Sequence, residues 1–242
     1  MKALKLPDSR GMYALFRREL SAFFQTPVAY VVAVVFLVAS STLFFSVFFL
    51  YDRAELRQFF ATLPLLLSLL VPALSMRLIA EERRRGTYEI LATLPLRTLD
   101  IILGKFLAVW VTLLFMLLPT LFYAFTVSRI GDLDPGPVFG GYLGAVLLAG
   151  TYASVGIFAS SISRSEIVAL IIALVISLSL ALIESFIVLI PPPVAGVVQF
   201  LSATYHFDGF ARGVVDSRSL VYLISVTTFF LTLSHRAMTS RR

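Results

Sequence analysis

The sequence predicts an all-α, polytopic membrane protein, and its composition leads to that class. Hydrophobic residues make up 59% of the 242-residue chain and charged residues only 14%, whereas soluble domains have roughly 45–50% and about 25%. A soluble fold of this length could not cover its surface with so few charges. Soluble enzymes, nucleic-acid-binding modules and disordered regulators are therefore excluded as classes.

The second observation is that six apolar stretches approach or exceed the length that crosses a bilayer, about 20 residues. We predict one transmembrane domain over residues 1–242. Its elements are an interfacial helix at 10–25, spans at 28–50, 59–78, 103–128, 138–162, 166–190 and 219–236, a cytoplasmic coupling region at 79–98, and an outer re-entrant or interfacial helical segment at 194–215.

The first element has the period of an amphipathic helix that lies among lipid headgroups. Its apolar side contains Phe16, Leu20 and Phe23, and arginines lie on the other side. Glu19 falls within the apolar stripe. Either this carboxylate pairs with Arg18 or a lipid, or it contacts a cytoplasmic partner.

The distribution of lysine and arginine predicts the orientation of the spans. Six spans place both termini on one side, and that side holds fifteen of the twenty basic residues. Because basic residues concentrate in cytoplasmic loops, we expect a multi-pass protein of the cytoplasmic (inner) membrane with both termini in the cytoplasm.

The loop after the second span carries the densest cluster of charges. The stretch Glu81–Arg85 has to leave the bilayer, Gly86 breaks the helix, and Thr87 can cap a new short helix that Pro95 ends. One interpretation is a solvated, positively charged loop. The other is a docking helix for a cytoplasmic partner, which also explains the apolar residues 91–95 outside the membrane.

These residues resemble the coupling region of ABC-2-type transporter permeases. The motif comprises Glu81-Glu82, Gly86-Thr87-Tyr88-Glu89, Leu91, Thr93, Leu94 and Pro95, followed by Leu103-Gly104-Lys105. The resemblance implies six spans, cytoplasmic termini and a separate ABC ATPase subunit that contacts this loop. The docking residues that it implies are Glu19, Glu81, Glu82, Arg83, Gly86, Thr87, Glu89, Leu91, Leu94 and Pro95.

The C-terminal part is similar to the gliding-motility-type branch of these permeases. The segments that carry this similarity are Tyr205-His206-Phe207, residues 212–218, Tyr222 and residues 156–161. The resemblance implies a homodimer or pairing with a similar permease, and an auxiliary membrane protein with a large extracytoplasmic domain.

The chain lacks the motif for ATP hydrolysis. A phosphate-binding P-loop requires G-x-x-x-x-G-K-[ST] after a strand, but Gly104-Lys105 is followed by Phe106 and lies within an apolar stretch. We therefore expect no enzymatic activity, no cofactor and no metal in this chain, with ATP and Mg²⁺ bound by the partner ATPase. Membrane lipids are expected partners and nucleic acid is not.

Polar residues near the outer side provide two further predictions. Glu184 lies inside the fifth span, where a carboxylate is costly unless it is paired or hydrated. Either it reaches water near the interface, or it lines a translocation path together with Ser177. After the three prolines 191–193, His206, Asp208, Arg212 and Asp216 are expected to cluster at the outer surface, where an extracytoplasmic partner could bind.

Two functions follow from these patterns. The first is a transmembrane permease subunit that couples ATP hydrolysis in a partner to export or movement of a substrate. The alternative is a membrane scaffold that relays the motion of the ATPase to an extracytoplasmic partner without transport.

Overall fold

The fold was analysed in a computed structural model, which describes residues 9–51, 55–87, 97–189 and 191–240. These residues form helices and no strands. The helices are α1 (Ser9–Gln25), α2 (Pro27–Tyr51), α3 (Arg57–Ser75), α4 (Arg77–Arg84), α5 (Thr98–Leu117), α6 (Leu121–Ile130), α7 (Pro135–Ile162), α8 (Glu166–Leu182), α9 (Pro192–Phe200), α10 (Ala203–Ala211) and α11 (Ser217–Thr239).

Six helical units in the described residues are long and apolar enough to cross a membrane. They are, in chain order, Pro27–Ser46, Arg57–Arg84, Thr98–Ile130, Pro135–Ile162, Glu166–Ile187 and Ser217–Thr239. The predicted all-α polytopic class is thereby confirmed. We call the side with α1, α4 and the start of α5 the terminal face, and the side with α9 and α10 the opposite face.

The fourth span, α7, is the centre of the bundle. Within its most apolar window 78% of the residues are buried, against 17% in the sixth span. Glycines allow this packing, because a Cβ on Gly141 would lie 2.5 Å from the Phe60 ring, and a Cβ on Gly156 would lie 1.8 Å from Ser75 Oγ. Small residues at such contacts let helix backbones approach closely inside a membrane.

The second span bends at Met76, between α3 and α4, and the bend is stabilised from α7. The hydroxyl of Ser160 accepts hydrogen bonds from the backbone N–H groups of Ile79 and Ala80, each at 3.0 Å. It also donates to the Met76 carbonyl oxygen at 2.8 Å. The side chain of Ser160 therefore satisfies backbone groups at the bend and fixes the direction in which α4 continues.

Several predicted boundaries were wrong, and local backbone chemistry explains the differences. The fourth span begins at Pro135, because Asp134 accepts a hydrogen bond from the Gly136 N–H at 2.9 Å and caps the helix. The third span extends from Thr98 to Ile130, with a 3₁₀ turn at Leu118–Thr120 that contains Pro119.

The end of the fifth span and the segment after it also differ from the prediction. The α-helix ends at Leu182 and continues as a 3₁₀ helix over Ile183–Leu189, which satisfies terminal carbonyl groups by shorter-range bonds. The predicted outer segment at 194–215 consists of two short helices, α9 and α10, and Ser202 between them caps α10.

The close contact between Gly156 and Ser75 leads to a specific prediction about the stability of the protein. We expect Gly156→Ala to destabilise the protein by roughly 1–3 kcal/mol, because the added Cβ has no space. Thermal unfolding of the detergent-solubilised protein measures this loss. Gly196→Ala is the matched control, since a Cβ at Gly196 meets nothing within 4 Å. Equal melting temperatures for the two variants would refute the packing described.

Candidate functional site

On the terminal face, the amphipathic helix α1 packs closely against the start of α5. A Cβ on Gly104 would lie 3.2 Å from the Met12 carbonyl oxygen and 3.3 Å from the side chain of Leu15. The absence of a side chain at Gly104 therefore lets the two helices approach. This approach brings Glu19 of α1 to the residue that follows Gly104, which is Lys105.

The ammonium group of Lys105 is buried at the junction of α1, α4 and α5. Its side chain is only 1% exposed. Lys105 Nζ donates to Glu19 Oε1 at 3.1 Å, to Glu82 Oε1 at 2.8 Å and to the Leu78 carbonyl oxygen at 2.7 Å. These three bonds use all three ammonium hydrogens, so that one side chain connects three helices.

Arg18 completes the group, which we call the Lys105 cluster (Arg18, Glu19, Glu82 and Lys105). Its guanidinium lies 2.6 Å from Glu19 Oε1 and 3.2 Å from Glu82 Oε1. Two cations thus face two carboxylates, and their formal charges cancel. Burial opposes ionisation of Glu19, but Lys105 and Arg18 outweigh it and hold the pKa of Glu19 below its ordinary value.

A cavity of about 510 Å³ adjoins the Lys105 cluster on the terminal face. Besides the cluster itself, its walls include Arg77, which donates to Thr26 Oγ1 at 3.1 Å and lies over the Phe23 ring. The cavity is also lined by Glu81, Arg85 and Thr87. It opens beside the charged end of α4, where a partner on this face would contact it.

Helix α4 is followed by a glycine in the left-handed backbone region. Gly86 has a φ of 72°, a conformation that glycine adopts without strain. The Thr87 hydroxyl donates to the Glu82 carbonyl oxygen at 3.3 Å, and the short helix that Thr87 was predicted to cap lies outside the described residues. The carboxyl end of α4 has free carbonyl groups, which explains this contact.

The structure assigns the predicted docking residues to different environments. Glu19 and Glu82 belong to the Lys105 cluster, where their side chains are mostly buried. Glu81 forms an ion pair with Arg85 at 2.6 Å, and the side chain of Arg83 bonds the Ser161 carbonyl oxygen. The other four predicted docking residues, which lie outside the described residues, are Glu89, Leu91, Leu94 and Pro95.

Sequence reasoning counted Lys105 only as a basic residue of the loop and as part of the family motif. A signal for its role was present, because Lys105 follows a small residue and precedes an uninterrupted apolar run. A lysine at that depth requires a partner. Glu19 and Glu82, which are acidic residues in neighbouring elements, were the candidate partners for this lysine.

On the opposite face, the structure brings Glu184 together with the four residues predicted at the outer surface. They line a pocket of about 510 Å³ between the 3₁₀ segment, α10 and the start of α11. Asp208 forms an ion pair with Arg212. Asp216 accepts a hydrogen bond from the Arg218 N–H at 2.9 Å and thereby caps α11.

His206 is not a surface residue as predicted, since only 2% of it is exposed. Its Nε2 lies 3.0 Å from the Phe200 carbonyl oxygen and its Nδ1 lies 3.1 Å from Ser219 Oγ. The imidazole also stacks on Tyr222, with ring centroids 4.0 Å apart. Burial lowers the pKa of His206 despite the Phe200 carbonyl, so the neutral ring joins α10 to α11.

Ser177 does not share the pocket of Glu184. It lies on the buried side of α8, in a stripe of small residues that repeats every four positions, with Ala169, Ala173 and Ala181. The Ser177 hydroxyl has no hydrogen-bond partner within the described part of the chain. In that same part, no group of three acidic or histidine side chains could hold a metal ion.

The Lys105 cluster makes a prediction about pH and stability. Lys105→Met leaves two buried carboxylates without their main cation, and we expect a loss of about 3–5 kcal/mol at neutral pH. Because the pKa of Glu19 is lowered, wild-type stability falls as the pH drops below the ordinary value of 4.5. In the variant, protonation of Glu19 removes a buried charge that has lost its lysine partner, so the difference in stability between the two proteins should shrink towards pH 4.

Thermal unfolding in detergent between about pH 7 and pH 4 measures both effects. Arg85→Met is the control, because its ion pair with Glu81 is exposed and exposed pairs contribute about 1 kcal/mol or less. A difference between wild type and Lys105→Met that stays constant over this range would contradict the assigned pairing.

Comparison with known proteins identifies the family. Residues 51–235 match the family described as ABC-2 family transporter protein, and this region comprises well over half of the chain. No curated protein matches the sequence. Members of this family are membrane subunits without ATPase motifs that pair with an ABC ATPase. The chain therefore belongs to the ABC-2 transporter family, as a transmembrane permease subunit.

Proposed function

We propose that this permease subunit couples ATP hydrolysis in a separate ATPase subunit to movement of a substrate across the cytoplasmic membrane. The observation that carries the proposal is the Lys105 cluster, which joins three helices next to the family's coupling motif. The ATPase would bind the terminal face at Arg83, Gly86 and Thr87 and at the four motif residues from Glu89 to Pro95.

Force applied at this surface would reach the spans through α4. This helix is the continuation of the second span beyond the bend at Met76, and Glu82 ties it to Lys105 of the third span. Glu19 extends the same connection to α1. A displacement of the coupling region would therefore move three elements together instead of bending one loop.

The orientation proposed for the complex follows from charge. Fifteen of the twenty basic residues lie in sequence segments that six spans would put on the side of the termini, which would place α1, both termini and the ATPase in the cytoplasm. The substrate would then pass between the cytoplasmic and outer sides. ATP and Mg²⁺ would be bound by the ATPase, since this chain has no P-loop.

Pairing with a second permease, either another copy or a similar chain, is part of the proposal. In the fifth span only 22% of the most apolar window is buried within the subunit. Large apolar side chains such as Ile171 and Val175 are exposed there. Lipid covers such a surface in a single subunit, and a second permease would cover part of it in the complex.

The conformation of Gly86 provides a test of coupling. Gly86→Ala introduces no clash, because a Cβ there meets nothing within 4 Å, but it disfavours the positive φ by roughly 1–2 kcal/mol. We expect the spans to keep their stability, whereas stimulation of the ATPase subunit by the permease falls severalfold because the coupling region leaves α4 in another direction.

ATP hydrolysis by the reconstituted complex, together with co-purification of the two subunits, measures this effect. Gly196→Ala, which also meets no atoms but lacks a positive φ, should match the wild type. If Gly86→Ala stimulates the ATPase as well as wild type does, the proposed docking region is wrong.

A second candidate is the force-transducing role of the gliding-motility-type branch, with an auxiliary extracytoplasmic protein bound on the opposite face. Its support is that two residues of that resemblance, His206 and Tyr222, stack on each other on the opposite face. ATP-driven transfer of a fluorescent lipid or solute in vesicles supports transport. ATP hydrolysis that moves the extracytoplasmic partner without transfer of lipid or solute supports the force-transducing role.

A further inference from the structure

The pocket on the opposite face is lined by three carboxylates and two guanidiniums, and only two of these five groups form an ion pair. Of its five charged side chains, Asp208 and Arg212 pair with each other, and Asp216 caps α11. Glu184 and Arg218 remain. Within the described residues, neither has an ion-pair partner closer than 4.0 Å.

Glu184 has an unused acceptor at this site. Its Oε2 atom is buried and accepts no hydrogen bond from any described residue. A buried carboxylate oxygen without a donor is costly, and the cost is removed when a bound cation donates to it. Asp208 lines the same pocket and adds negative charge on that side.

The polar pocket adjoins a mostly apolar groove along α11. Phe200 and Arg218 line both cavities. The groove has a volume of about 600 Å³ and follows the first turns of α11 past Val221, Tyr222 and Ser225. The side chains of Phe200 and Val221 are more than half exposed, as expected of surfaces that contact acyl chains.

We propose that this pocket binds the headgroup of a phosphatidylethanolamine molecule from the leaflet at the opposite face. The ammonium of the headgroup donates to Glu184, its phosphate faces Arg218, and an acyl chain lies along the groove on α11. A zwitterion with an adjoining apolar chain offers an ammonium to the unsatisfied Oε2 of Glu184, a phosphate to Arg218 and an acyl chain to the apolar wall.

Other abundant headgroups match less well. Phosphatidylcholine carries a quaternary ammonium with no N–H to donate, so Oε2 of Glu184 would stay unsatisfied. Phosphatidylglycerol has a phosphate for Arg218 but no cation, and it would meet the negative charges of Glu184 and Asp208. Selectivity for the primary amine is therefore the distinguishing property of the site.

Native mass spectrometry of the delipidated, full-length protein with an equimolar mixture of the three lipids, all with the same acyl chains, tests the proposal. Wild type should retain phosphatidylethanolamine over phosphatidylcholine by about tenfold, the effect of one charge-assisted hydrogen bond. Glu184→Gln should reduce that ratio to near one. Arg218→Gln, at an exposed position, should weaken retention of all three lipids and leave the ratio unchanged.

Glu55→Gln is the matched control, because Glu55 lies on the same face but lines a different cavity. It should preserve the wild-type ratio. Equal retention of the three lipids by wild type would overturn the proposal. A protein partner would then be the alternative occupant of the pocket. A loss of preference in Glu55→Gln as large as that in Glu184→Gln would also overturn it, since the effect would then come from the charge of the whole face.

Discussion

A lysine ammonium buried among α1, α4 and α5 determines how the terminal face is assembled. Each of its hydrogens bonds a group on another element, and two carboxylates balance it together with Arg18. Removing Lys105 leaves Glu19 and Glu82, both mostly buried, with only the half-exposed Arg18 as a cation, which costs far more than loss of an exposed pair. The positions of α1 and α4 relative to α5 therefore depend on the Lys105 cluster.

The cluster forms only because backbones approach closely around it. Gly104 lets α1 contact α5, and Gly156 lets α7 contact the second span just before its bend. Ser160 then fixes the bend by bonding Met76, Ile79 and Ala80, and this sets where Glu82 lies. Small residues in the core thus position the buried charges of the Lys105 cluster.

Much of the architecture could be predicted from the sequence, because spans are specified by length and hydrophobicity alone. The six spans, the break at Gly86 and the presence of a helical segment before the last span follow from apolar runs, glycine and proline. Helix boundaries were less accurate, since caps such as that of Asp134 and the 3₁₀ turn at Pro119 depend on local geometry.

Contacts between distant parts of the chain could not be predicted in this way. Glu19 and Lys105 are far apart in sequence, and no pattern within either helix reveals that they meet. His206 was predicted at the outer surface with the other polar residues of its segment. Its ring is instead buried and hydrogen-bonded to Phe200 and Ser219. Tertiary packing decides such positions, and a short sequence window contains no information about it.

The most direct measurement of the central interaction is a double-mutant cycle with Glu19→Gln and Lys105→Met. The stabilities of the wild type, both single variants and the double variant are compared by unfolding in detergent at neutral pH. If the two groups are bonded in the interior, the double variant should be more stable than the sum of the single losses predicts, by about 1–3 kcal/mol. Simple additivity would show that Lys105 does not hold α1 to the bundle.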